Sequence, residues 1–310
     1  MKGEGNNWSR AALVVAHPSH ELRVHGWMQT ARPHVFVLTD GSGRISEPRL
    51  QRTTRVLEEV GARPASIYGR VKDLDVYDAL IKLNFPFFIQ LAQELAEEFE
   101  RQQIEYVVGD SDEGYSSTHD ACRLVIDAAV EMVRRRSQRQ LVNFDFAVVS
   151  PPDECPDSPC NEAIRIHLND EAFARKVAAV RGYSPKLALD VEAALRGEPF
   201  KGVRRLSEPQ LIGEVDKELT TELLSALRAY PALEKTVKDI LSGTELDRFR
   251  TECLRPVCAP ADKQTAPGEV RFYELYGKKL VAAGHYSEPI CHADHFLPLA
   301  EAVWRHVETC

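Results

Sequence analysis

At 310 residues, 44% of them hydrophobic, with a formal net charge of −8, the chain has enough mass for a large buried core and an acidic balance. That balance excludes a nucleic-acid-binding role, which needs clustered Lys and Arg to neutralise phosphates. No apolar run reaches the length of a membrane span, and the first ten residues lack the apolar core of a signal peptide, so a cytoplasmic protein without membrane partners is expected.

Ala11-Ala12-Leu13-Val14-Val15-Ala16 is too short for an independent helix and suits a strand buried on both faces. The chain then turns polar at His17-Pro18-Ser19-His20-Glu21. Glu21 to Ala31 reads as a short helix, and His34 to Leu38 as a strand that stops at Thr39-Asp40-Gly41. Ser46 to Gly61 has helical spacing, with Ser46 as N-cap, Pro48 in the first turn and Gly61 at the end. A brief strand is expected around Ala65 to Tyr68. Asp73 to Gln103 is helical in pattern and broken near Asn84-Phe85-Pro86, because proline removes a helix donor and clashes with the preceding turn. Ile104 to Val108 is a strand ending at Gly109-Asp110. A polar loop, Ser111 to Thr118, leads into His119-Asp120 and a helix with Leu124, Val125, Ala128, Ala129 and Met132 on its apolar face. That helix closes on the basic run Arg134 to Arg139, where cations complement the helix dipole. Phe144 to Val149 is a fifth strand. Such alternation specifies a parallel α/β sheet with helices on both faces.

From Pro151 the pattern changes to a Pro- and Cys-rich loop, a strand at Ala163 to Leu168 and then helices to about Leu241. Two segments there, Val180 to Leu187 and Leu227 to Leu233, have similar proline-marked helix entries. Val270 to Tyr276 alternates like a strand, and a turn at Gly277-Lys278 would let Leu280 to Ala283 pair back as a hairpin. A last helix covers Phe296 to Val307. The division expected is a core over residues 1–168 and a mainly helical extension over 169–310, with its hairpin, packed on that core. Seven cysteines are an odd number in a long chain and read mostly as reduced thiols. The pairs Cys155/Cys160 and Cys253/Cys258 have a gap that a structural zinc can use, although Pro-rich loops explain them without one. Cys291, His292 and His295 invite a similar proposal, and equally form a helix entry.

Parallel strands bring their carboxyl ends to one side of the sheet. His17, His20 and Glu21, then Asp40, then Asp110 with His119 and Asp120, therefore converge there. Three protein ligands and one open position are the usual catalytic zinc arrangement, and His17, His20 and His119 supply that set.

Ala16-His17-Pro18-Ser19-His20-Glu21 resembles the His-Pro-Asp-Asp-Glu signature of the PIG-L/LmbE-like deacetylases, zinc hydrolases that remove acetyl groups from N-acetylglucosaminyl and related substrates. Thr39-Asp40-Gly41, the Arg-rich segment from Arg49 to Leu57, the loop from Gly114-Tyr115 to His119 and the phrase Ala174 to Ala179 are also similar to that family, over roughly residues 11 to 190. The resemblance implies a Rossmann-like α/β fold and a metal-dependent amide hydrolase, with Zn2+ or another divalent metal on His17, His20 and His119. It implies a small polar substrate such as an acetylated amino sugar, in a chain that can also form a homo-oligomer. Ser19 and His20 stand where the family has its general base and a carboxylate ligand, and Ser116-Ser117-Thr118-His119 stands where it has His-Pro-Asp-His. Serine takes no proton from a metal-bound water at neutral pH, so Glu21 and Asp120 are the substitute bases, with Tyr115 at the oxyanion and Asp40, Arg44 and Arg49 at the substrate. A non-catalytic sugar- or protein-binding relative is the competing expectation.

Overall fold

The computed structural model describes residues 8–43, 48–155, 162–200, 228, 243–258, 270–282, 284 and 286–310. Within them the chain runs β1 (Ala11–Val15), a 3-10 turn (His20–Val24), α1 (His25–Ala31), β2 (His34–Thr39), α2 (Leu50–Val60), β3 (Arg63–Val71), α3 (Asp73–Ile81), α4 (Phe85–Arg101), β4 (Tyr106–Asp110), α5 (Ser117–Ser137) and β5 (Val142–Phe146). After these come β6 (Ile164–His167), α6 (Asp170–Tyr183), α7 (Pro185–Leu195), β7 (Thr251–Pro256), α8 (Phe272–Ala282) and α9 (Leu297–Glu308).

The sheet order is β3-β2-β1-β4-β5-β7-β6. The first five strands pair in parallel, while β7 runs antiparallel to both β5 and β6. The sheet is therefore mostly parallel, as expected, and its strand order reverses between β1 and β4, where α/β folds leave a crevice outside the strand ends. β1 lies at that point and is buried throughout. Its alternation sends Leu13 and Val15 to one core, with Trp27, Met28 and Val56 from α1 and α2. Ala12 and Val14 go to the other, with Leu95, Phe99 and Val125 from α4 and α5. Two-sided burial explains the unbroken apolar run at β1.

Three readings are corrected. The hairpin expected from Val270 to Ala283 is helix α8. Phe272, Tyr276 and Leu280 are all buried and recur every four residues along one helical stripe, and this outweighs the local alternation. The helix expected from Ser46 begins at Leu50, with Arg49 at its N-cap and no side-chain cap bond, and Ser46 lies outside the described residues. The cysteines expected as thiols include a disulfide, Cys155–Cys253, with Cα atoms 5.9 Å apart and a sequence separation of 98. Cys258 is disulfide-bonded as well. The pairing depends on β7 joining the sheet beside β5, a contact with no local signature. Cys122, Cys291 and Cys310 are free. His295 Nδ1 instead accepts a hydrogen bond from Cys291 N–H at 3.0 Å and so caps the entry to α9. Leu227 to Leu233 lies outside the described residues apart from Arg228.

β7 also ties the C-terminal part to the first helix. Glu252 is fully buried, accepts hydrogen bonds from Gly26 N–H at 2.8 Å and Trp27 N–H at 2.7 Å, and pairs with Lys176 Nζ at 2.7 Å. A carboxylate at the start of α1 complements both the orphan N–H groups and the helix dipole. His25 lies beside this node, and burial, followed by the charges of Lys176 and Arg175, lowers its pKa to about 4.

Peptide mapping without reductant is expected to recover Cys155 and Cys253 in one linked fragment. Reduction of a cross-link closing a loop of this size should lower stability by about 4 kcal/mol, read by urea unfolding with and without reductant; recovery of both residues as free thiols would refute the pairing. For His25, the unfolded chain takes up a proton near pH 6.5 and the folded chain only near 4, so stability is lost as pH falls through that window. His25→Gln should flatten the window by up to about 1.4 kcal/mol per pH unit, and identical pH profiles would show that His25 is not held neutral.

Candidate functional site

The end of β1 is turned sharply by Ser19, which adopts φ 95°, ψ −16°. A non-glycine residue there is strained, and such strain persists only where surrounding contacts over-determine it. Ser19 N–H donates to Glu21 Oε2 at 2.7 Å, and His20 N–H to His17 O at 3.4 Å. The turn brings His20 back beside His17, with ring centroids 5.3 Å apart. His119, in the first turn of α5, completes a triangle, 5.2 Å from His17 and 4.7 Å from His20. All three imidazoles are buried.

Their outer contacts order two of the rings. His20 Nδ1 lies 2.7 Å from Asp110 Oδ2, at the end of β4, and Asp110 also accepts the Ala16 N–H at 2.8 Å. The carboxylate assigns the ring proton to Nδ1 and leaves the lone pair on Nε2. His17 Nδ1 lies 2.8 Å from Thr39 Oγ1 and 2.8 Å from Asp73 Oδ1, and since Thr39 already donates to Ala16 O at 2.9 Å, it accepts from the ring. His20 Nε2 and both nitrogens of His119 are buried without a hydrogen-bond partner. Burial, then the charge of His17, lowers the pKa of His20, and burial, then the charge of His20, lowers that of His119. Burial raises Asp110 to about 6. Burial also pushes Asp73 upward, but the charge of His17 with hydrogen bonds from His17, Thr39 and Gly43 outweighs it and holds the group below the ordinary carboxylate range.

The donor chemistry suits a divalent ion, because neutral imidazoles with acid-fixed tautomers and partnerless buried nitrogens are what such an ion uses. Among the described residues, however, no group of three or more His, Cys, Asp or Glu side chains is disposed to hold a metal ion as it stands. The imidazole triangle is thus a cluster with ligand-type nitrogens and not a closed coordination shell.

The other residues read from the sequence divide. Tyr115 is buried with its ring 6.5 Å from His119 and stacked on Phe272, at 4.9 Å and 2°. Glu21 is fully buried beneath the turn; burial raises it to about 7 against hydrogen bonds from Thr53 and Ser19. Asp120 accepts from Gly114 N–H at 3.2 Å, and Arg271 Nη1 lies 3.9 Å from it. Burial, then the charge of Asp112, raises its pKa. Both carboxylates therefore brace their own loops. Asp40 accepts from Ser42 N–H at 2.9 Å and Ser42 Oγ at 2.6 Å, and Arg49 Nε donates to Gly41 O at 2.8 Å. A Cβ on Gly41, at φ 69°, would meet Pro18 Cδ at 2.8 Å and Arg49 Nε at 2.9 Å, so this turn packs directly against the one that carries the histidines. Arg44 lies outside the described residues.

Two partners of the imidazoles, Thr39 and Asp73, escaped the sequence reading. Asp73 had a usable signal, since it is the first helical residue after β3 and so another acid at the carboxyl edge.

Removing the carboxylate in Asp110→Ala leaves the Ala16 and His20 N–H groups buried and unpaired. A loss of about 3 kcal/mol in urea unfolding is expected, with Asp110→Asn costing less; stability unchanged in both variants would show that these contacts carry no weight.

No family model matches the chain, and no curated protein matches it. Among solved structures, it is similar to a deacetylase–bog complex from the teicoplanin biosynthesis pathway, at 13% identity, 82% of this chain, 100% of that chain and a TM-score of 0.40. A deacetylase triple mutant involved in the same pathway is similar at 15% identity, the same coverage and a TM-score of 0.40. The zinc-inhibited form of teicoplanin deacetylase Orf2 is similar at 12% identity, again covering 82% and 100%, with a TM-score of 0.38.

Proposed function

We propose that the chain is a metal-dependent amide hydrolase acting on an acetylated amino sugar or a related small polar molecule, with His17, His20 and His119 as ligands of zinc or another divalent ion. One observation carries this reading: three buried imidazoles pack within 5.3 Å of one another, and nitrogens of two of them have no hydrogen-bond partner. The resemblance at His17-Pro18 and around His119 supports it. Bound there, the ion would polarise an acetamide carbonyl and acidify water, the more so for an all-histidine set of greater positive charge.

The chain's own residues hold the donors ready. Asp110 keeps the His20 proton on Nδ1, and Asp73 with Thr39 does the same for His17, so both rings keep Nε2 for coordination. Tyr115, beside His119, is the polar aromatic group assigned to the substrate's carbonyl side. Asp40 and Arg49 shape the neighbouring turn through their backbone contacts. Proton transfer needs a carboxylate, because Ser19 stands where the resembling family has its base.

The test combines metal analysis of the purified full chain with acetate release from N-acetylglucosamine. Expected are a stoichiometric divalent ion, loss of acetate release on chelation and recovery on adding zinc. His17→Ala and His119→Ala should lose about tenfold or more in metal affinity. Of Glu21→Gln, Asp73→Asn and Asp120→Asn, the one that lowers kcat by about 10²-fold or more with metal retained marks the base. A metal-free wild type whose sugar binding is unchanged in both histidine variants would overturn the hydrolase reading in favour of a non-catalytic binding relative, the reading that Ser19 at the base position favours.

A further inference from the structure

The disulfide Cys155–Cys253 joins two segments that each grip the stretch from His20 to Trp27, just behind the histidine turn. The first is β7. Glu252, the neighbour of Cys253, holds the Gly26 and Trp27 N–H groups, and its partner Lys176 also donates to Arg23 O at 2.8 Å. The second is the loop from Ala147 to Cys155. Arg23 Nε donates to Ala147 O at 3.0 Å and Arg23 Nη2 to Ser150 O at 2.6 Å. The same loop donates the N–H groups of Val148, Val149 and Ser150 to Glu113, at 2.7, 2.9 and 2.8 Å, so it also braces the segment that leads to Tyr115 and His119. The noncovalent ties around the cross-link are few. Among the described residues β7 pairs with β5 at its far end, through Phe144↔Pro256 and Asp145↔Arg255, and at Cys253 it pairs with the outer strand β6. Arg165 Nη2 donates to Cys155 O at 2.6 Å. Arg248 holds Asp153 at 2.6 Å and Glu154 at 3.4 Å near solvent, where ion pairs contribute little.

We propose that Cys155–Cys253 is a redox latch on the histidine cluster, opened by a dithiol. Cys155 ends a surface loop beside the exposed Glu154, whereas Cys253 lies within the sheet, so Cys155 Sγ is the atom attacked. One thiolate of the dithiol bonds to it, the S–S bond breaks, and Cys253 leaves as a thiolate that takes up a proton. The second thiolate of the dithiol then attacks its own partner sulfur in the mixed disulfide and displaces Cys155, which is protonated in turn. The protein gains two electrons and two protons, and the dithiol leaves as its cyclic disulfide. With the link open, Glu252 and the carbonyls that receive Arg23 lose the shared frame that aims them. The consequence is local, because β1, β2, β4 and β5 pair with one another without β7, and Asp110 still holds Ala16 and His20 from β4. The stretch from His20 to Trp27 is then fixed at one end in place of two. Any effect on metal binding or acetate release rests on the hydrolase reading; the latch rests on the contacts of Glu252, Arg23 and Glu113.

The experiment follows backbone amide exchange in the full chain, with and without dithiothreitol, beside a variant carrying both Cys155→Ser and Cys253→Ser. The variant carries the assignment, since the reductant also opens the bond at Cys258. In reduced wild type and in the variant, the Gly26 and Trp27 amides are expected to exchange about tenfold or more faster than in the oxidised chain, while amides of β1 and β4 keep their protection. Reoxidation should restore the slow rate in wild type, and the variant should exchange fast with or without reductant. Should the variant not fold, wild type poised in mixtures of reduced and oxidised dithiothreitol gives the same comparison, with peptide mapping to identify the opened bond. Unchanged Gly26 and Trp27 amides would overturn the latch, and so would an equal rise in exchange across the whole sheet, which marks a general staple. Fast Gly26 and Trp27 amides on opening, in a chain that releases no acetate in either redox state, would keep the latch and discard the hydrolase reading. Acetate release with amides indifferent to the cross-link would do the reverse.

Discussion

One carboxylate oxygen, Asp110 Oδ2, sets the position of most of what meets at the sheet edge. It joins the Ala16 N–H just beyond β1 to His20 after the next turn, from the end of the neighbouring strand β4. A group fully removed from water and shared by two donors leaves little freedom to either. The strained turn at Ser19 is stable on these terms, because the residues on both sides of it are held from outside. His119 is brought to the same place by the helix that follows β4, so the imidazole cluster is a product of strand order as much as of the motif that carries two of its members.

A second buried carboxylate, Glu252, does for the opposite end of this segment what Asp110 does for its start. It binds the first N–H groups of α1 and the Lys176 ammonium of α6, so the stretch from Ala16 to Trp27 is held at both ends by acids from elsewhere in the chain. One of them comes from β7, more than 220 residues later in sequence. The C-terminal part is therefore structural support for the histidine turn. It also stacks Phe272 of α8 on Tyr115, and Arg271, just ahead of that helix, pairs with Asp112 at 2.8 Å in the loop that carries Tyr115.

The parallel part of the sheet was legible because strands buried on both faces leave apolar runs bounded by polar turns, as at Ala11 to Ala16 and Ile104 to Val108. The convergence of His17, His20 and His119 followed from strand direction. What escaped was whatever depends on non-local pairing. β7 reads Thr-Glu-Cys-Leu-Arg-Pro, with no clean alternation and a proline at its end, so neither the strand nor the Cys155–Cys253 bond could be seen. In α8 the period of two from Val270 to Tyr276 coincided with a helical stripe, and burial of Phe272, Tyr276 and Leu280 decides for the helix. Asp73 looked like an ordinary first-turn acid, and only the register of β3 beside β2 shows it reaching His17.

The two outer strands have a further consequence, for association between molecules. β3 carries Pro64, two register irregularities against β2 and the arginines Arg63 and Arg70. At the other side β6 is four residues long and alternates its two isoleucines with Arg165 and His167. Short length, proline, irregular register and charge are the features that keep an outer strand from recruiting another chain by backbone pairing. A second copy of this molecule finds no long regular ladder to extend on either described edge.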